Sequence, residues 1–135
     1  MYSKFFRTFA VLSILILGAV VGLLRANIGR GAGAELLSQS GRYKIESVNV
    51  LFPYVYDNYV YFRVIDLDNP SQIYRSPIVR DGVDFHSFEN AREVGVVWLG
   101  FNKRTHEFNV SFPGWQESWI NLFISNTPYT VITDD

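Results

Sequence analysis

The side chains best suited to chemistry are few. His86 has Asp84 and Glu89 close by in the chain, His106 stands apart, and Asp66 and Asp68 flank Leu67. Asp84, His86 and a serine would supply the groups of a nucleophilic triad, but the chain lacks the strained glycine-flanked turn that exposes such a serine. Asp66-Leu67-Asp68-Asn69 sets oxygens at alternate positions, as the start of a calcium loop does. The loop's glycine is missing, since Ser71 follows Pro70, and Pro77 stands where a bidentate Glu is needed. His86 with Glu89 lacks a third metal ligand. The absence of cysteine excludes thiolate zinc sites, disulfides and an acylated cysteine. No glycine-rich loop could cradle a phosphate. These residues predict a non-enzymatic protein that needs neither cofactor nor metal, with both histidines on the surface beside turns.

A different constellation points to binding. In residues 54 to 61, YVYDNYVY, four tyrosines surround Asp57-Asn58. A two-residue hairpin turn at Asp57-Asn58 would set Tyr56 opposite Tyr59, Tyr54 opposite Tyr61 and Phe52 opposite Arg63. All six would share one face, because side chains two apart on a strand point the same way. Val55, Val60, Phe62 and Val64 would then enter the core from the other face. Phe52, Tyr54, Tyr56, Tyr59, Tyr61 and Arg63 form the candidate partner-binding face, since aromatic rings with polar tips and an arginine fork are what protein interfaces enrich. The structural alternative is that this face packs on a second sheet or a short helix, with hydroxyls at its margin. Trp115 and Trp119 are expected in the core.

The elements that must position these residues follow from periodicity. Residues 43 to 50 alternate in part and residues 59 to 67 clearly, so both predict strands. A turn cluster follows at residues 68 to 71, residues 72 to 79 could return as an edge strand that tolerates Pro77, and Asp81-Gly82 signals a tight turn. Residues 84 to 93 suggest a short helix starting near Ser87, and the apolar residues 94 to 101 suggest one central strand. A turn at residues 102 to 105, then Phe108, Val110 and Phe112 alternating with polar neighbours, predicts a hairpin with that strand. Residues 115 to 124 fit helix or strand, and residues 129 to 133 a last strand. The fold class expected is all-β, a small antiparallel β-sandwich-like domain with one or two short helices, behind a single N-terminal transmembrane helix.

That helix occupies residues 1 to 26; residues 27 to 41, rich in Gly, Ala and Ser, read as a flexible tether, and residues 42 to 135 as the β domain. Residues 8 to 24 carry no charge and would span about 25 Å, close to the ~30 Å of a bilayer core, with Arg7 and Arg25 able to snorkel at the ends. The length of the apolar run, with Arg25 and Arg30 following it, favours an uncleaved signal anchor, and a basic leader favours the N terminus inside, which expects an inner-membrane, single-pass protein with its C-terminal domain in the periplasm. The alternative is cleavage at Ala32-Gly33-Ala34, releasing a chain that begins at Glu35. From Glu35 onward there are 8 Lys and Arg against 13 Asp and Glu, a formal charge of −5. This disfavours nucleic acid and favours a protein partner, a basic one electrostatically. Composition and location thus predict a bacterial envelope protein whose β domain binds another protein. An immunity-type protein that neutralises a periplasm-acting toxin fits that size, acidity and place. The alternatives are an accessory or structural subunit of an envelope membrane complex, for which Gly18 and Gly22 offer a weak helix-pairing pattern, and an envelope glycan-binding module.

Overall fold

The computed structural model describes residues 2–53, 58–82 and 84–132. The first element, helix α1 (Tyr2–Ala26), forms from Leu, Ile, Val, Ala and Phe with no proline to interrupt it. Two of its hydroxyls are satisfied within the helix: Thr8 Oγ1 donates to the Lys4 carbonyl at 2.9 Å and Ser13 Oγ to the Phe9 carbonyl at 2.8 Å. A 3-10 turn, Asn27–Gly29, continues it. Together Tyr2–Gly29 make a 28-residue helix whose most apolar stretch has a mean hydropathy of 2.4, long and apolar enough to span a membrane.

The remainder is mostly β. Strands β1 (Ala34–Leu37), β2 (Tyr43–Val50), β3 (Tyr59–Asp66), β4 (Ile73–Arg75) and β5 (Val79–Arg80) make one sheet of order β1-β2-β3-β4, with β5 also paired to β3. Strands β6 (Ser87–Glu89), β7 (Glu93–Val96), β8 (Leu99–Asn102), β9 (Phe108–Val110) and β10 (Tyr129–Val131) make the second, ordered β10-β9-β8-β7-β6. Between β9 and β10 lies a one-turn helix, α2 (Asn121–Ile124). All pairs are antiparallel except β10 with β9, which run parallel, so the second sheet is mixed rather than wholly antiparallel as expected.

Several expectations give way to pairing. The helix expected near Ser87 is strand β6, whose Phe88 faces Gly95 of β7, so tertiary pairing overrides the helix propensity of Glu, Ala and Arg. The single strand expected over residues 94 to 101 is a hairpin, with Val96 opposite Leu99 across a turn at Val97-Trp98. Trp98 takes φ 66° there, and Gly95 lies opposite Gly100 so closely that a Cβ on Gly95 would meet the Leu99 carbonyl oxygen at 2.1 Å. The predicted edge strand over residues 72 to 79 is divided into β4 and β5. Between them Ser76 exchanges bonds with β3: its N–H donates to the Phe62 carbonyl, and its Oγ accepts from the Phe62 N–H, each at 2.9 Å. The hairpin of β8 and β9 forms as predicted, Phe101 opposite Phe108, and Asn102 Oδ1 closes its turn by accepting from the Arg104 and Thr105 N–H groups.

Alternation along β3 divides the interior in two. Val60, Phe62 and Val64 join a core built with Tyr43, Ile45 and Val79 of their own sheet and Val94, Val96, Leu99, Phe101, Phe108 and Val110 of the other. The opposite face of β3 and β2 belongs to a second cluster of Leu24, Val48, Val50, Tyr61, Ile78, Ile120 and Ile124. Both faces of β3 are therefore covered, by the second sheet on one side and by the end of α1 with α2 on the other.

Candidate functional site

The six residues of the expected binding face do not stay together. Tyr54, Tyr56 and Asp57 of the expected turn lie outside the described residues. The expected register does not form: Tyr59 is opposite Val50 on one side and Arg80 on the other, Tyr61 is opposite Val48, and Arg63 is opposite Glu46. Both edges of Tyr59 are thus occupied by other strands, and β3 pairs back on β2 across residues 51 to 58 rather than across two residues. Phe52, Tyr59 and Tyr61 nonetheless point into one cluster, the one that receives α1.

There the face becomes a clamp on the apolar helix. Tyr61 is 0% exposed, and its hydroxyl donates to the Asn27 carbonyl at 2.6 Å, with the Ile28 carbonyl at 3.3 Å. Arg63 Nη1 donates to the carbonyls of Ile28 at 3.1 Å and Arg30 at 3.0 Å. Its Nε faces Glu46 Oε1 at 3.2 Å, an ion pair whose angle misses hydrogen-bond geometry. Asn27, only 2% exposed, completes the joint: its Nδ2 donates to the Phe52 carbonyl at 2.9 Å, and its Oδ1 accepts the Leu51 N–H at 3.0 Å. The Tyr61 phenol is pushed up by burial, against the lowering pull of Arg63 and Arg75, so it stays a neutral donor.

Residues 27 to 41 are accordingly no loose spacer. They contain the 3-10 turn that Tyr61 and Arg63 hold and the strand β1, which pairs Ala34 with Ser47 through Leu37 with Lys44. Gly33 adds a 2.8 Å bond from its N–H to the Ser47 carbonyl. Composition suggested flexibility, whereas a buried asparagine just after an apolar run was the residue to notice: its amide can satisfy two backbone groups at once.

Beside this joint lies a groove of about 540 Å3, walled by Tyr59, Ile78, Val79, Arg80 and residues 112 to 118. Its loop wall is fixed from below. Trp115 Nε1 donates to the Ile78 carbonyl at 2.9 Å, and the ring meets Tyr129 edge-on at 5.9 Å. Glu117 accepts from Asn121 Nδ2 and from the Tyr129 hydroxyl, each at 2.7 Å. Burial and the Glu117 carboxylate push the Tyr129 phenol up to about 12. Arg80 is exposed and forms no ion pair among the described residues. It also borders a second hollow of about 210 Å3, with Asp81, Asp84 and Phe85. The groove therefore offers aromatic walls, the exposed Arg80 guanidinium and the Glu117 carboxylate, a set suited to holding a chain of mixed character.

The chemical candidates do not converge. Asp84 and His86 form an exposed pair at 2.8 Å, and His106 lies apart, stacked 5.9 Å from Phe101 and 3.3 Å from the Tyr74 hydroxyl. Asp66 serves Arg42, at 3.0 Å, and caps the turn to Asp68. Among the described residues no group of three or more His, Cys, Asp and Glu is placed to hold a metal ion. Trp119, expected in the core, is 57% exposed, because the turn before α2 directs Ile120 inward instead. No protein-family model matches the chain, and neither a curated protein nor a solved structure resembles it.

Proposed function

We propose that this chain is a non-enzymatic, membrane-anchored protein of the bacterial envelope whose periplasmic β domain holds a protein partner in the groove between Tyr59 and residues 112 to 118. In this reading the two sheets are the layers of a sandwich, α1 crosses the inner membrane, and Tyr59 is the member of the tyrosine face that reaches the partner. The observation that carries the reading is the groove itself, an aromatic-walled cleft with the exposed Arg80 guanidinium at its rim, beside the joint that grips α1. The domain's formal charge of −5 favours a basic partner at long range.

Retention of the anchor has its own support. Cleavage after Ala34 would remove Leu24 and Asn27, uncover Val48, Val50 and Tyr61, and strip partners from the Leu51 N–H and Phe52 carbonyl. Exposing buried apolar and polar groups together disfavours a released domain.

Photocrosslinking from Gln116 in cells tests the groove. A single crosslinked protein that is lost on Arg80→Glu but kept on Arg104→Glu, in the turn after β8, is the expected result. Equal capture by both variants, or none from Gln116, would refute the groove as the partner site.

A further inference from the structure

A second surface adjoins the anchor rather than the groove. Helix α2 meets the last turns of α1: Ile120 and Ile124 are fully buried with Leu24, while Val20 and Phe123 pack at the margin of the same cluster. With a rise of 1.5 Å per residue, Val20 lies about 6 Å further into the apolar span than Leu24. An element that reaches Val20 therefore stands at the depth where hydrocarbon gives way to headgroups.

The outward side of this element is apolar. Trp119 is 57% exposed and Leu122 is 83% exposed, and with Phe123 they occupy positions i, i+3 and i+4, one face of a helical turn. The Trp119 and Phe123 rings meet edge-on at 6.0 Å. Residues 118 to 133 contain no charged side chain, the longest such stretch after α1. Nor is the element free to turn this face elsewhere. Arg75 Nε donates to the Ile124 carbonyl at 2.7 Å, Asn126 Oδ1 accepts the Arg75 N–H at 2.7 Å, and Asn121 Oδ1 accepts the Ile78 N–H at 2.8 Å.

We infer that Trp119, Leu122 and Phe123 form a membrane-interface foot, seated at the headgroup and acyl boundary of the bilayer that α1 crosses. The inference rests on the anchored reading above and adds to it an orientation for the domain. Continuity with α1 names the occupant, since a rigid apolar face at the depth of Val20 meets lipid before it can meet any soluble partner. Indole suits that boundary, with its ring among acyl carbons and its N–H among headgroups. Exposed Arg25, at the end of α1, would meet lipid phosphates at the same level.

The chain has no cysteine, so single substitutions give unique labels. The full chain in nanodiscs of phosphatidylcholine and phosphatidylglycerol, with the fluorophore NBD on Leu122→Cys, Ile16→Cys or Arg104→Cys, tests the proposal. All three positions avoid the cores. The expected result is blue-shifted emission from position 122, most of it lost to lipids carrying a doxyl quencher just below the headgroup. Position 16 should respond to a deep quencher and position 104 to neither. Water-like emission at 122 with quenching at 16 would overturn the foot and leave the anchor standing. Blue-shifted emission at 122 that lipid quenchers do not reach would overturn it in favour of contact between protein copies. No quenching at 16 would overturn the anchored reading, and the foot with it.

Discussion

Replacing Tyr61 by Phe isolates the hydroxyl that joins the sheet to the apolar helix. The ring stays among Leu24, Val48 and Ile120, so packing is conserved, while the 2.6 Å bond to the Asn27 carbonyl disappears in a site closed to solvent. A typical net hydrogen bond contributes about 1 kcal/mol, and the buried Asn27 carbonyl would keep only the long 3.5 Å bond from the Arg30 N–H, so a loss of about 1–2 kcal/mol is expected. For a domain of this size that lowers Tm by roughly 4–15 °C. Tyr61→Ala adds a cavity at the centre of the second cluster and should cost about 3–5 kcal/mol, enough to unfold a marginal domain. Thermal unfolding of the full chain in detergent, followed by near-ultraviolet circular dichroism, measures both. A Tyr61→Phe protein that melts with the wild type, together with a Tyr61→Ala protein that stays folded, would refute the clamp and return Tyr61 to the surface.

Two further outcomes follow from single contacts. Gly95→Ala drives a Cβ toward the Leu99 carbonyl, which is backbone and cannot step aside, so the β7–β8 hairpin should lose about 1–3 kcal/mol, read as a lower urea midpoint. Glu89 of β6 ties its sheet to the other through the Ser40 N–H and hydroxyl, and it pairs within its own sheet with Lys103 Nζ at 2.9 Å. Burial works to raise this carboxyl, but those donors outweigh it and hold it down to about 2. Because the folded value lies below the ordinary 4.5, the Glu89 contribution is complete above about pH 4.5 and is lost as the pH falls toward 2. Glu89→Gln should flatten that part of the stability profile, and an unchanged profile would contradict the assignment.

How far the sequence was legible depended on whether a signal was periodic or relational. The alternation of residues 59 to 66 correctly sends Val60, Phe62 and Val64 to one core and Tyr59 and Tyr61 to the other side, because the period of a strand is a property of the strand alone. What the strand pairs with is not. Residues 54 to 61 mirror each other about Asp57-Asn58, yet β2 offers eight residues of pairing to β3, from Tyr43 with Asp66 to Val50 with Tyr59, more than a short hairpin could. The palindrome therefore does not set the register. Residues 94 to 101 hid a turn for a related reason: apolar composition signals burial but not direction, and Gly95 opposite Gly100 becomes meaningful only once the strands face each other.

That Tyr59 and Tyr61 share a face was legible in the sequence, whereas the depth of that face was not. What Tyr61 and Arg63 hold there is the carbonyl groups of residues 27, 28 and 30 of their own chain. The groove was not visible, since its walls come from β3, β5 and a loop more than fifty residues after Tyr59. Glycine and alanine in residues 27 to 41 pointed to a tether, whereas the folded state is decided by Asn27, whose two bonds to Leu51 and Phe52 no compositional average registers.

The rigid joint between α1 and the β domain is the claim on which the retained anchor and the interface foot both depend. Spin labels on Leu12→Cys in α1 and Arg104→Cys in the turn after β8, with the full chain in nanodiscs, measure it by double electron–electron resonance. One narrow distance distribution, broadened by Asn27→Ala, is the predicted result. A broad distribution already present in the wild-type background would show that the helix swings on a tether and would contradict the account.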